Sequence, residues 1–526
     1  MRRNIWTMIV PLLCYNLIML PSLDYVQVWD GLLYWKCLLD ATKGSFSLEQ
    51  FVCYGHPPAF TMLYGLLQYF DHGNVALQNG FSFFLGNLAV LAFAGIVRML
   101  FPKAGALERM LMTLVFAFHP VVLGNTFHFN LDIGILFFSL YLFYFLLCDK
   151  KIGVILCGVL LVLTKEIGVF FYVALITLHA LIMLFRPEQG TAGFLRLLRS
   201  RFSFLVPVPL FPIFAIVRSF QHHQIFSWGI ALEYIFNPYR QVFPSDFTSV
   251  QDVFLMMQDI FLLNFLWVSS LFIVAASGIF LRRWFFRLPD ASRFGDSESR
   301  VFVFILSVFV LSFLVLSTCL PTHNLRYFVV LYPLALFLLF FSLHFLRMRP
   351  MMQLSVLGIV AFLNLVSVFR SIDPLSHALY GTFQIGDHRM LAMAPIHHEC
   401  CGYGRDQLVY NLEFVMLSKL QDAFFRHIRV DAKTVIATDP DVWRGFNSGA
   451  VDPVTFRRTA TGGILPTYVN PYALPTPLPE RLLFVEYPNF DSTQALETLL
   501  VHYDIETEEA IRISGYELPF LRMHRR

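Results

Sequence analysis

Through its first 370 residues the chain returns repeatedly to apolar runs near the length of a membrane crossing, each closed by a short polar or turn-forming loop. A helix needs about 20 apolar residues to cross the hydrocarbon core. Runs of that kind lie at 5–22, 78–101, 109–123, 132–148, 152–164, 167–185, 202–220, 261–281, 301–319, 327–346 and 352–370, which predicts about 11 transmembrane helices. Backbone amides cannot be left unpaired in lipid, and no alternating barrel pattern is present, so a helical polytopic bundle is the fold class expected. Composition agrees: 57% of residues are hydrophobic, 58 are Phe and only 14% are charged, against roughly 25% in a soluble domain. The net charge of +3 is spread over the loops rather than gathered on one face, so nucleic acid is not an expected partner.

Lys and Arg in short loops set orientation. With Arg2 and Arg3 inside, the cytoplasmic loops are "RMLFPKAGALER", "CDKK", "RPEQGTAGFLRLLRSR", "LRRWFFRLPDASR" and "LRMRP", every one basic. The loops between them, "VLGNTFHFNLD", "TKE", 221–260 and "LPTHNLRY", carry far fewer cations. The alternation puts a first outer loop, 23–79, and everything after 370 on the extracytoplasmic side. The opening segment resembles a signal peptide in charge and apolarity, but "PSLDYVQ" is a poor cleavage site, and a retained helix is expected.

Two domains follow from this reading: a transmembrane unit, 1–370, and an extracytoplasmic soluble unit, 371–526, where hydrophobicity falls and no spanning run remains. In the second unit "KTVIATD" and "RLLFVEY" read as strands, "NLEFVMLSKLQDAFFRH" and "STQALETLLVHY" as helices, and the Pro-rich "LPTYVNPYALPTPLPE" as a loop. A small α/β domain is expected.

Ionisable groups near a membrane mark function because burying them is costly. Asp24, Asp30, His56, His128, Asp132, Lys165, Glu166, His323 and Arg326 all fall at predicted outer ends of spans or in outer loops. In "CYGHPPAFTMLYGLLQYF" the paired prolines forbid a helix through His56 and start a new one after it, an interfacial helix on the outer surface. Asp132 opens a helix and would serve equally as a first-turn acid favoured by the helix dipole. Lys165 would serve equally as a snorkelling cation paired with the adjacent Glu166. The eight cysteines show no CxxC pair, and "IHHECCGYG" packs its ligands too closely to wrap a tetrahedral ion, so no metal site is expected. In an oxidising compartment, Cys400 or Cys401 is a candidate disulfide partner for Cys53.

The order of features matters more than any one of them. An outer Asp after the first span, "ATKGSF", "GHPPAFTMLYGLLQYF", a span, "HPVVLGNTFHFNLD" and "LLVLTKEIGV" follow one another over about residues 1–190, and "LPTHNLRYFVVLYPLALF" comes late in the bundle. This sequence resembles the GT-C glycosyltransferases, in the branch that holds protein O-mannosyltransferases and lipid A aminoarabinose transferases.

The resemblance implies an enzyme that takes a sugar from a polyprenyl-phosphate carrier on the outer side of a membrane and passes it, with inversion, to a protein, lipid or polysaccharide acceptor. It implies Asp30 as general base, with spacing to the "HPP" stretch that fits the family better than Asp24, which is the second candidate. Lys165 and Arg326 are the expected ligands of the lipid phosphate, with His323, His56, His128 and Glu166 around them, and Asp132 is expected to position the substrate or to bind a sugar hydroxyl or a cation. GT-C enzymes vary in their use of divalent cations, and no cofactor requirement follows for this chain. Relatives often carry an acidic pair where this chain has Asp30 followed by Gly31. A bacterial inner membrane is the expected location, with the endoplasmic reticulum as the alternative. The rival readings are a transporter of lipid-linked sugars and a GT-C scaffold without catalysis.

Overall fold

The structure, a computed structural model, describes residues 5–23, 29–42, 48–53, 56–127, 129–184, 201–221, 259–285, 296–319 and 325–369, short stretches between 375 and 437, and 467–486, 492–513 and 516–526. It is mostly helical, with a two-stranded and a five-stranded sheet in the C-terminal part of the described residues.

Helices occupy each of the apolar segments: α1 (Trp6–Met19), α4 (Val75–Leu100), α5 (Ala106–Ala117) with α6 (Pro120–Phe127), α7 (Leu131–Leu147), α8 (Lys151–Val162), α9 (Glu166–Leu184), α10 (Leu210–Gln221), α11 (Trp267–Phe285), α12 (Asp296–Cys319), α13 (Leu331–Phe345) and α14 (Pro350–Phe369). By length and composition three helical stretches suffice to cross a membrane, Val75–Leu100, Ser299–Leu316 and Pro350–Val368; a fourth is added if Ala106–Ala117 and Pro120–Thr126 form one bent span. The segment 109–123, expected as one continuous helix, is therefore broken, with 57° between its halves. Pro120 is the cause, because a proline drives the residue before it out of helical geometry.

Two further helices belong to the first loop. The chain turns at Pro57–Pro58 and enters α3 (Ala59–Gln68), as the prolines require. Before it lies α2 (Trp29–Ala41), in a region the sequence suggested only as a loop. Its apolar positions Tyr34, Trp35, Leu38, Leu39 and Ala41 are buried. They are buried by neighbours rather than by a spanning length, which is why the run is not conspicuous in the sequence.

Aromatic rings fill the bundle. Phe93 of α4 stacks on Phe116 of α5 at 4.2 Å and on Phe337 of α13 at 4.8 Å between centroids. Offset ring contacts of this kind add about 0.5–1.5 kcal/mol beyond burial. Polar side chains also clamp helices together: Asn16 Nδ2 donates to Asn87 Oδ1 at 2.7 Å while Asn87 Nδ2 donates to Asn16 Oδ1 at 2.9 Å, joining α1 to α4.

In the C-terminal region the described strands are β1 (Gln384–Ile385), β2 (His388–Arg389), β3 (Val435–Ala437), β4 (Thr467–Val469), β5 (Arg481–Val485), β6 (Tyr503–Ile513) and β7 (Tyr516–Arg525), with α15 (Thr493–Leu500). The sheet order is β4-β3-β5-β7-β6; β3 runs parallel to β4 and β5, and β7 runs antiparallel to β5 and β6. Alternate β5 side chains serve two faces: Leu482 and Phe484 pack with Ala495 and Leu499 of α15, whereas Leu483 and Val485 belong to the core that holds Phe424 and Phe520. The "TYV" of the Pro-rich stretch is a strand, not the loop expected, since pairing with β3 outweighs its flanking prolines.

Candidate active site

Asp132 stands at the start of α7, where the sequence leaves open whether it caps the helix. It does not: Asn130 is the cap, its Oδ1 accepting the N–H groups of Asp132 at 2.9 Å and Ile133 at 3.3 Å. Asn130 Nδ2 donates in turn to Asn125 Oδ1 at 2.9 Å, which fixes the cap against α6. The Asp132 carboxylate faces Lys165, and Lys165 Nζ donates to Asp132 Oδ1 at 2.8 Å. Side-chain exposure is 6% for the lysine and 2% for the aspartate. Beneath the ammonium lies the Tyr327 ring, 4.2 Å from Nζ to the centroid, in cation–π geometry.

Lys165 sits in the turn between α8 and α9, and Glu166 begins α9. The partner suggested for Lys165, the adjacent Glu166, is not the one it takes. Successive residues entering a helix diverge by about 100°, and Glu166 instead meets His56, whose Nδ1 lies 3.1 Å from both carboxylate oxygens. The Ala59 N–H donates to the Leu163 carbonyl at 3.0 Å, so the start of α3 is fastened to the same turn twice over.

Two glycines let the first loop seat closely. A Cβ on Gly134 would meet the Phe60 ring at 2.6 Å, so α3 rests on α7 one half-turn beyond Asp132. A Cβ on Gly65 would run into the Phe51 ring, and Thr61 Oγ1 donates to the Phe51 carbonyl at 2.6 Å. The 3-10 turn Leu48–Phe51 is thereby pressed onto α3. Two residues on, Cys53 forms a disulfide with Cys37 of α2. Cys53 thus has a partner within the first loop, and the pairing suggested with Cys400 or Cys401 does not hold. Tyr34 of α2 contacts His56 at 6.3 Å and Phe129 at 6.0 Å between ring centroids. Position 30 precedes Tyr34 by one turn, so both positions share a face of α2.

Asp132, Lys165, His56 and Glu166 are therefore brought together by α7, the α8–α9 turn and the start of α3. Asp30 lies in α2 and Arg326 in the 3-10 turn Leu325–Phe328, beside Tyr327; only their backbones are described. Asp24, His128 and His323 lie outside the described residues. Tyr327, Asn130, Tyr34 and Cys37 were not singled out by sequence. Tyr327 had a signal, since it directly follows Arg326 in the late loop. Asn130 had one as well, as an Asn two residues before the first-turn acid. Among the described residues no group of three or more His, Cys, Asp or Glu side chains could hold a metal ion.

Asp132 and Lys165 are the two residues of the Asp, Glu, Lys and Arg types that are buried among those described. A buried ion pair gains little net stability, because desolvation offsets the attraction. The pair lies where three sequence-distant segments meet, which makes it the candidate centre. Fold and site together define an α-helical membrane protein with a buried Asp132–Lys165 charge pair at one end of its bundle.

No family model matches the chain, and no curated protein matches it. Among solved structures it is similar to ArnT from Cupriavidus metallidurans in the apo state, with a TM-score of 0.46 and 11% identity. It is also similar to ArnT from the same organism bound to undecaprenyl phosphate, with a TM-score of 0.49 and 12% identity. Each alignment covers 98% of this chain and 97% of the other.

Proposed function

We propose that this protein is an integral membrane glycosyltransferase that moves a sugar from a polyprenyl-phosphate carrier to an acceptor on the extracytoplasmic side, with inversion. The observation that carries the reading is the buried Lys165 cation, held by Asp132 and the Tyr327 ring beside the His56–Glu166 pair. These residues come from the "HPP", "NLD", "TKE" and "LRY" stretches whose order carries the GT-C resemblance.

The chemistry asks for such an arrangement. Displacing a lipid phosphate from an anomeric carbon requires a base on the acceptor hydroxyl and cations on the departing oxygens. Asp30 takes the hydroxyl proton as the new bond forms on the face opposite the phosphate. Lys165 and Arg326 bind the phosphate as it leaves, the guanidinium offering two parallel donors. Asp132 keeps the ammonium aimed while no phosphate is bound, and hands it over when one arrives. His56 and Glu166 hold α3 against the α8–α9 turn and so shape the approach to the cation. The Cys37–Cys53 disulfide supports an outward-facing first loop, since disulfides persist in oxidising compartments; the periplasmic side of a bacterial inner membrane fits.

The test is Asp30→Asn in the full chain, with membrane abundance measured alongside. Loss of about 10²-fold or more in sugar transfer is expected, within the range for removing a general base, together with accumulation of the lipid-linked sugar seen by mass spectrometry. Unchanged transfer at equal abundance would remove Asp30 from the mechanism and favour a scaffold or transporter.

A further inference from the structure

We propose that the Cys37–Cys53 disulfide is a redox latch that positions the helix carrying Asp30, so that the oxidised protein is the working form; the inference rests on the reading of Asp30 as base. The chain of contacts runs in one direction. The α7 and α8–α9 frame holds α3 through Phe60 on Gly134 and the Ala59 to Leu163 hydrogen bond. Helix α3 holds Phe51 through Gly65 and Thr61, which immobilises the short segment ending at Cys53, itself 1% exposed. Cys53 then holds Cys37, and positions 30, 34 and 37 fall on one face of α2 at spacings of one and two turns.

Among the described residues Trp35 and Leu39 form a small cluster with Val75, apart from the core that unites the bundle. The covalent bond ties α2 to the segment ending at Cys53, and Tyr34 against His56 and Phe129, with Leu38 and Ala41 in the main core, completes the seat of α2 beside the His56–Glu166 pair. Cys37 is only partly covered, so an external thiol can reach it. Formation is a thiol–disulfide exchange: the two cysteine thiols give two protons and two electrons to a donor protein disulfide of the compartment, which leaves as a dithiol. Reduction by a dithiol reverses it.

Three measurements on the full-length protein in membranes test the latch. Peptide mass spectrometry without reductant should find residues 37 and 53 in one linked species, unlabelled by N-ethylmaleimide until a phosphine is added; both labelled in untreated protein would overturn the proposal. Hydrogen exchange in Cys37→Ser, Cys53→Ser and the phosphine-treated wild type should show amides of 29–41 opening about tenfold or more faster, with 131–147 unchanged, because only the local tether is lost. Unchanged protection of 29–41 would overturn it. Sugar transfer should fall by up to about a hundredfold, as a misplacement near 1 Å costs, while binding of undecaprenyl phosphate, followed by native mass spectrometry, stays within about twofold because Lys165 is untouched. Reoxidation should restore transfer in the treated wild type and not in the serine variants. Wild-type transfer with a loosened 29–41 sinks the latch even when Asp30→Asn is inactive; wild-type transfer by Asp30→Asn with a loosened, inactive Cys53→Ser instead sinks the base assignment and leaves the latch as a positioning device for another group on α2.

Discussion

The Asp132–Lys165 pair illustrates how one residue's meaning depends on its neighbour in space. Removing a single partner strands a charge in the interior and costs about 3–5 kcal/mol, whereas replacing both with apolar groups is close to neutral. Asp132→Asn and Lys165→Met are each expected to lower the unfolding temperature in detergent, with the Asp132→Leu/Lys165→Met double variant recovering most of the loss. All three are expected to lose sugar transfer. A double variant that regained activity with stability would reduce the pair to a packing element. Part of this was legible beforehand: Asp132 and Lys165 stood out as charges at predicted outer ends of spans. Their pairing did not, because 33 residues and two helices separate them, and local spacing favoured Glu166. Capping by Asn130 is what frees the Asp132 carboxylate for the lysine.

At the scale of elements, helices meet through features that a hydropathy profile does not weigh. Gly134 is one: its missing side chain is the seat for Phe60. Gly134→Ala should push α3 outward at an overpacking cost of about 1–3 kcal/mol, with sugar transfer falling more than stability does; crosslinking between α3 and the α8–α9 turn would report the displacement. The reciprocal Asn16–Asn87 amides are another. Hydrogen bonds between membrane helices average about 0.6 kcal/mol with a maximum near 1.7. Asn16→Leu should weaken the α1–α4 contact by an amount in that range, and adding Asn87→Leu should cost little more. Full additivity in a thermal double-mutant cycle would show that the two amides act independently. Helix α2 belongs to this scale too: its burial depends on Cys53, His56 and Val75, none of which lies within its own run.

For the molecule as a whole, the C-terminal sheet carries its own acid response. Glu509 of β6 is held at about 2, chiefly by the hydrogen bond from Arg522 of β7 and then by that from His427. An unstructured Glu titrates near about 4.3. Between these values the unfolded chain binds the extra proton, so the stability contributed by Glu509 is fully present above about pH 5 and is lost as pH falls toward 2. Hydrogen-exchange protection of 503–525 should decline through that window in the wild type and stay flatter in Glu509→Gln. Identical acid profiles would assign the response to other carboxylates.

What the sequence by itself determined is the part set by local chemistry: apolar runs that become helices, prolines that start a helix after His56, and β-branched or aromatic runs that become β3 and β5. Helix α2, the 57° break at Pro120, the Cys37–Cys53 bond and the Lys165–Asp132–Tyr327 cluster were decided by tertiary structure. Each depends on groups far apart in the chain whose contact energies appear only once helices pack. A run of 20 apolar residues carries its own reason to be a helix; a buried lysine acquires its partner only when two helix ends arrive at the same place.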